Sequence, residues 1–263
     1  MKKFKINKAL TLSILLLLPL MSKASLYQAI DWVTDNSFTQ GIEGPAVNKD
    51  GVLFAVNYQE EGTIGKVSAQ NKTEVFIRLP EGSIGNGLRF DHKDNLYIAD
   101  YTGHNIFKVN ANSQEVQLYN HTPTMNQPND LAITDNGLLF ASDPNWQNSS
   151  GQIWLIDKNK HSHCLEKNMG TTNGIEVSPD NQKLYVNESV QGNVWVYDLN
   201  EQGKISNKKL LFKFNDYGLD GMRTDSQGNL YIARYGAGMV AVLSPQGKLL
   251  KKIPLKGKFP TNL

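Results

Sequence analysis

A chain of 263 residues, 40% hydrophobic and 20% charged, has the composition of an ordinary folded protein, with length for one large domain or two small ones. Its 27 basic and 25 acidic side chains nearly balance at a formal +2, with no Lys/Arg stripe, which argues against a nucleic-acid binder. A single cysteine, Cys164, excludes an internal disulfide and reads as a packed side chain rather than a nucleophile. Residues 1–24 run from basic "MKKFKINK" through apolar "ALTLSILLLLPLM" to the small residues of "SKA". That order predicts a secretory signal cleaved near Ala24, because the apolar run is short of the roughly 20 residues a membrane span needs. Removing its five lysines takes the formal charge from +2 to −3. Export without disulfides predicts a periplasmic or secreted bacterial protein, with no membrane association once the signal is gone.

Residues 25–263 then form one repeating unit. After "YQAIDWVTDNSF" (27–38), which alternates apolar and polar, five segments align: "EGPAVNKDGVLFAVNY" from Glu43, "NGLRFDHKDNLYIADY" from Asn86, "NDLAITDNGLLFASDP" from Asn129, "NGIEVSPDNQKLYVNES" from Asn173 and "DGMRTDSQGNLYIARY" from Asp220. Each opens on Glu, Asn or Asp, continues as a short strand, turns on Gly/Asn/Asp-rich residues and returns as a second apolar strand. The starts are 43, 43, 44 and 47 residues apart. Third strands follow ("TIGKVSA", "NIFKVNA", "QIWLIDK", "NVWVYDL", "GMVAVLS"), and fourth strands after some of them ("EVFIRL", "EVQLYN", "KLLFKF").

Four antiparallel strands every 40-odd residues describe a β-propeller blade; a sandwich would not impose a fixed period with one residue class at each start. The predicted fold is all-β, a six-bladed propeller lacking the inner strands of the sixth blade. Asn262, 42 residues after Asp220, begins a sixth inner strand, and 27–38 supplies that blade's outer strand.

The first residue of each inner strand lies at the mouth of the central channel. Glu43, Asn86, Asn129, Asn173 and Asp220 thus converge as oxygen donors, with two carboxylates and no His or Cys among them. That set suits a hard cation such as Ca²⁺, with Mg²⁺ as the alternative; zinc prefers nitrogen and sulfur. The loops after the second strands form a rim carrying Tyr58, Tyr101, Asp143, Trp146, Glu188, Arg234 and Tyr235, expected to select a ligand.

From Glu43 onward the chain resembles the regucalcin/gluconolactonase (senescence-marker-protein) family of six-bladed propellers, through "EGP" (43–45), "PND" (128–130), "NGIEVSPDNQKLYV" (173–186) and "DGMRTDSQGNLYIARYGAG" (220–238). The resemblance implies a divalent metal, usually Ca²⁺, held by Glu43, Asn173 and Asp220. It places Asn129 near the metal and ranks Asn86 lower. It also implies hydrolysis of a small lactone or ester, with Asp220 as base and Asp130 as its understudy. The chain departs from the family at Gln127, where members that open sugar lactones often carry Arg. Arg234 is the expected replacement cation. A non-catalytic propeller binding a small ligand or partner protein over the same mouth is the alternative function.

Overall fold

The computed structural model describes residues 27–110 and 113–263; the expected signal, residues 1–24, lies outside them. Within that range the chain forms five four-stranded antiparallel sheets, each built from consecutive strands. They are β1 Ala46–Val47, β2 Leu53–Val56, β3 Thr63–Ala69 and β4 Lys72–Arg78; β5 Gly85–Phe90, β6 Leu96–Asp100, β7 Asn105–Val109 and β8 Val116–His121; β9 Leu131–Ile133, β10 Leu139–Asn145, β11 Ser150–Ile156 and β12 Ser162–Met169. The last two are β13 Thr172–Val177, β14 Lys183–Glu188, β15 Asn193–Leu199 and β16 Ile205–Lys213; then β17 Met222–Thr224, β18 Leu230–Arg234, β19 Met239–Leu243 and β20 Leu249–Pro254.

The first hairpin of each sheet closes by the same chemistry. Asn48, Asp91 and Asp225 each accept two backbone N–H bonds across the turn, from Asp50 and Val52, from Lys93 and Asn95, and from Gln227 and Asn229. The left-handed residue these turns need is Gly51, Asp94, Gly137, Asn181 or Gly228, types that tolerate positive φ.

Four apolar clusters seal successive sheets. Phe54, Val56, Leu88 and Ile98 join the first to the second, and Tyr97, Ile106, Leu139 and Trp154 the second to the third. Phe140, Ile153, Leu184 and Tyr197 join the third to the fourth, and Tyr185, Val194, Leu230 and Ile232 the fourth to the fifth. The alternation of apolar residues along each strand aims one row at each neighbouring sheet.

The innermost strands β1, β5, β9, β13 and β17 surround an axis filled by charge. Arg89 lies 3.6 Å from Asp130 and 3.0 Å from Glu176, while Arg223 lies 3.3 Å from the other oxygen of Asp130. Arg89 also donates to the carbonyl of Ile175, and Arg223 to that of Pro45, so the network touches all five sheets. Asp130 has no exposed surface and Arg89 is buried. Such a lattice fixes the register of the blades because every member is needed to neutralise another.

The expected sixth blade is the main correction: among the described residues there are five blades, not six. Residues 27–38 form no strand beyond a single bridge from Phe38 to Tyr58. An outer strand needs an edge to pair with, and no sixth-sheet strands are present among the described residues to offer one. The segment instead spans from the fifth sheet to the first: Lys256 pairs with Asp31 at 2.8 Å, and Asn71 N donates to Trp32 O at 3.1 Å. Asn262 does reach the axis, as described below.

Glycine follows the polar first residue where blades crowd. A Cβ on Gly87 would lie 2.7 Å from the carbonyl oxygen of Asn129 on the next sheet. Gly87→Ala is therefore expected to cost about 1–3 kcal/mol in urea unfolding. Asp130→Ala, which takes the shared carboxylate from buried Arg89 and half-buried Arg223, is expected to cost about 3–5 kcal/mol by the same measurement.

Candidate metal centre at the channel mouth

Each mouth residue is held from below by the strand that pairs with it. Val56 N donates to Glu43 O at 3.2 Å, Asn129 N to Ser142 O at 2.9 Å, and Asp220 N to Ala233 O at 2.9 Å. Asn86 and Asn173 lie inside their strands, but both fall in breaks of register, between Gly85 and Leu88 and between Thr172 and Ile175. A bulge frees one residue from the ladder and re-aims its side chain. Asn129 and Asp220 immediately precede or closely approach β9 and β17, and Glu43 precedes β1.

The structure brings Glu43, Asn173 and Asp220 together. Burial raises the proton affinity of Asp220 well above the usual carboxylate range, the Glu43 charge adds to that, and a hydrogen bond from Asn173 opposes it. Burial likewise pushes Glu43 up to about 7, with backbone N–H of Gly44 and the Asn262 amide opposing and Asp130 reinforcing. Asn173 is 3% exposed, and its Oδ1 is buried without a hydrogen-bond partner. Two crowded carboxylates and an orphaned amide oxygen want a cation. Among the described residues no three His, Cys, Asp or Glu side chains could hold an ion by themselves, so amide oxygen must complete the set. Oxygen donors of mixed charge fit calcium better than zinc.

The second-rank residues separate. Asn129 is buried at 5% exposure beside the mouth, and its carbonyl accepts Gly87 N at 2.8 Å. Asn86 spends its amide on that same carbonyl, at 3.1 Å. Asp130 is committed to Arg89, Arg223 and, through Oδ1, the N–H of Leu131 at 2.9 Å, so its oxygens serve the axial lattice.

The rim expectations need a larger correction. Asp143, Glu188 and Arg234 are not rim side chains: they are 0%, 4% and 2% exposed. They belong to a clamp repeated at the end of every second strand. Asn57 accepts from Gly62 N and donates to Gly41 O. Asp100 accepts from Ile84 N, Gly103 N and Asn105 Nδ2. Asp143 accepts from Gln127 N at 2.6 Å, Gln152 Nε2 at 2.8 Å and Trp154 Nε1 at 2.9 Å. Glu188 accepts from Gly170 N at 2.8 Å and Asn193 Nδ2 at 2.6 Å.

In each blade the side chain ties the loop entering the inner strand, and in the first four also the hairpin beyond or its following strand. Arg234 does the same with inverted polarity, donating to Asp216 O at 2.6 Å, Asp216 Oδ1 at 2.7 Å and Gly218 O, with its guanidinium 3.8 Å from the Phe214 ring centre. It is therefore spent on loop architecture and does not replace a cation at Gln127. Tyr58 is buried too, its hydroxyl 2.9 Å from Thr73 Oγ1. Tyr101 is half-buried, while Trp146 and Tyr235 remain 39% and 44% exposed. Tyr217 and Phe259 join Tyr235 as exposed aromatics, and the Phe259 ring lies 5.0 Å from that of Tyr235.

Several residues of the site escaped the sequence reading. Asn187 has no exposed surface, accepts from Gly174 N at 3.2 Å and donates to Asp220 O at 2.5 Å, locking two mouth residues together. Its signal was a polar residue ending the apolar run "KLYV". Arg89, Glu176 and Arg223 each stand three positions after Asn86, Asn173 and Asp220, a column of charge in otherwise apolar inner strands.

A family profile described as the SMP-30/Gluconolactonase/LRE-like region matches residues 42–263, and the chain belongs to that family. A gluconolactonase of Zymomonas mobilis is 26% identical over 80% of this chain and 68% of its own length. The diisopropyl-fluorophosphatase of Loligo vulgaris is 26% identical over 85% and 81%, and the lactonase drp35 of Staphylococcus epidermidis 25% over 91% and 78%. In structure the chain superimposes on a calcium-binding regucalcin of Agrobacterium tumefaciens with a TM-score of 0.73 at 20% identity, covering 84% of this chain and 76% of that one. That likeness is one of fold.

Two measurements check this site. Metal-free protein binds more protons folded than unfolded between pH 4.5 and 7, because folding raises the Glu43 pKa. The Glu43 contribution is thus fully present below pH 4.5 and is lost as pH rises toward 7. Thermal midpoints of chelated protein should show that decline, and Glu43→Gln should flatten it. Arg234→Ala is expected to lower stability by about 1–3 kcal/mol, by leaving the Asp216 and Gly218 carbonyls without their donor and emptying the guanidinium's place on the Phe214 ring, without changing KM ratios within a substrate panel.

Proposed function

We propose that this chain is a hydrolase of small lactones or esters working with one divalent cation, calcium by its donor set, held by Glu43, Asn173 and Asp220 at the channel mouth. The observation that carries the reading is the Asn173 Oδ1, buried without a partner next to two carboxylates that repel each other. The relatives named gluconolactonase and lactonase supply the reaction class. Export to the periplasm, from the basic-apolar start of the chain, belongs to the same proposal.

When bound, the cation supplies Lewis acidity toward a carbonyl oxygen. The protein's own groups do the rest. Asp220, buried at the mouth beside Asn173, is the carboxylate placed to take a proton from an attacking water. Asn173 and Asn187 hold it from the side chain and the main chain respectively. Trp146 and Tyr235, exposed directly after the second strands β10 and β18, suit an apolar portion of the substrate.

Turnover of a lactone and aryl-ester panel by purified protein tests the proposal. Activity should require Ca²⁺, stop with chelator and return on its readdition. Asp220→Asn should lower kcat by at least about a hundredfold, in line with removal of a base. Chelator-insensitive turnover would remove the metal from the mechanism, and no turnover of any ester would remove the enzyme.

A further inference from the structure

The mouth has a sixth member. Thr261 O accepts Gly221 N at 2.7 Å, and Thr261 Oγ1 donates to Ile42 O at 2.9 Å. The segment therefore threads between the residue after Asp220 and the residue before Glu43. The next side chain, Asn262, lies where a Cβ on Gly221 would stand, so only glycine fits there. Elsewhere at the mouth it is main chain that needs the glycine: Gly87 makes room for the carbonyl of Asn129 and Gly174 for that of Asp220.

The Asn262 amide has a defined orientation. Its Oδ1 accepts the N–H of Leu263 at 2.8 Å, and the contacts of Thr261 with Gly221 and Ile42 set the side chain between the residue after Asp220 and the residue before Glu43, where it lowers the proton affinity of the Glu43 carboxylate. With the oxygen turned to the main chain, the group that meets Glu43 is the Nδ2 amide. A donor to one carboxylate oxygen fixes which way the other oxygen points.

We propose that Asn262 is a positioning residue that aims Glu43 at the cation, without itself being a ligand. This rests on the metal reading of the site given above. Asn262 acts from outside the ligand set, and partners of this kind typically set metal affinity by about 10–100-fold. A mouth drawn from five sheets is in this way completed by a sixth chain position.

The test is a Tb³⁺ titration of purified protein, the trivalent ion keeping weakened sites in range, with Asn262→Ala and Asn262→Leu. Leucine keeps the side chain's bulk against Gly221 and removes only the donor. Both variants should bind about tenfold more weakly than the parent, with melting temperatures in chelator within a few degrees of it. On a Glu43→Gln background, neither should weaken binding further, since the residue acts through Glu43. Parent-like affinity in both variants would overturn the proposal. So would an additive loss on the Glu43→Gln background, which would make Asn262 a contact of the ion itself. A parent protein that binds no Tb³⁺ or Ca²⁺ would overturn the metal reading, and this inference with it.

Discussion

Two carboxylates that repel each other organise this molecule. Glu43 opens the first blade and Asp220 the fifth, 177 positions apart in the chain, and the fold presses both into the same desolvated mouth. Nothing about either residue alone makes that favourable. The surroundings offset it in layers: amides of Asn173 and Asn262 beside the carboxylates, and Arg223 and Arg89 below, balanced by Asp130 and Glu176. The protons drawn onto the pair in the absence of metal measure how incomplete those layers are. That residual repulsion is what supports the proposal of a cation at the mouth.

Below the mouth, the propeller uses polarity twice. The axial lattice of Arg89, Asp130, Glu176 and Arg223 keeps the inner strands in register from the inside. The clamps at Asn57, Asp100, Asp143, Glu188 and Arg234 hold the loops from the outside. In three blades a carboxylate gathers N–H groups and in the fifth a guanidinium gathers carbonyls, while Asn57 in the first does one of each. The two solutions are chemically opposite and architecturally equivalent, because an entering loop exposes both donors and acceptors at that point. The clamps hold still the backbone that enters each inner strand and so the residues at the mouth.

The period of the repeat, the polar start of each unit and the hairpin chemistry were legible in the linear order because they are local. A turn needs its Asx residue and its glycine within five positions, and a strand shows its two faces by alternation. Hence the five blades, their strand order and the convergence of the five first residues follow from pattern, while the choice of Glu43, Asn173 and Asp220 among them came from the family resemblance. The sixth blade did not follow, since alternation in 27–38 declares an amphipathic segment and leaves open whether any edge exists for it to join.

What a sequence cannot carry is the direction in which a polar side chain at a strand end turns. Asp143 and Glu188 look like rim residues because rim and clamp occupy the same position in the repeat. Burial and the supply of N–H donors from a loop tens of residues away decide between them, as they do for Arg234 with Asp216. Blade number per repeat, turn type and the oxygen character of the site belong to the sequence, since covalent neighbours enforce them. The seating of Asn262 against Gly221, the charge lattice on the axis and the locking of the clamps belong to the tertiary structure, since each is made by groups that only the folded chain brings within reach.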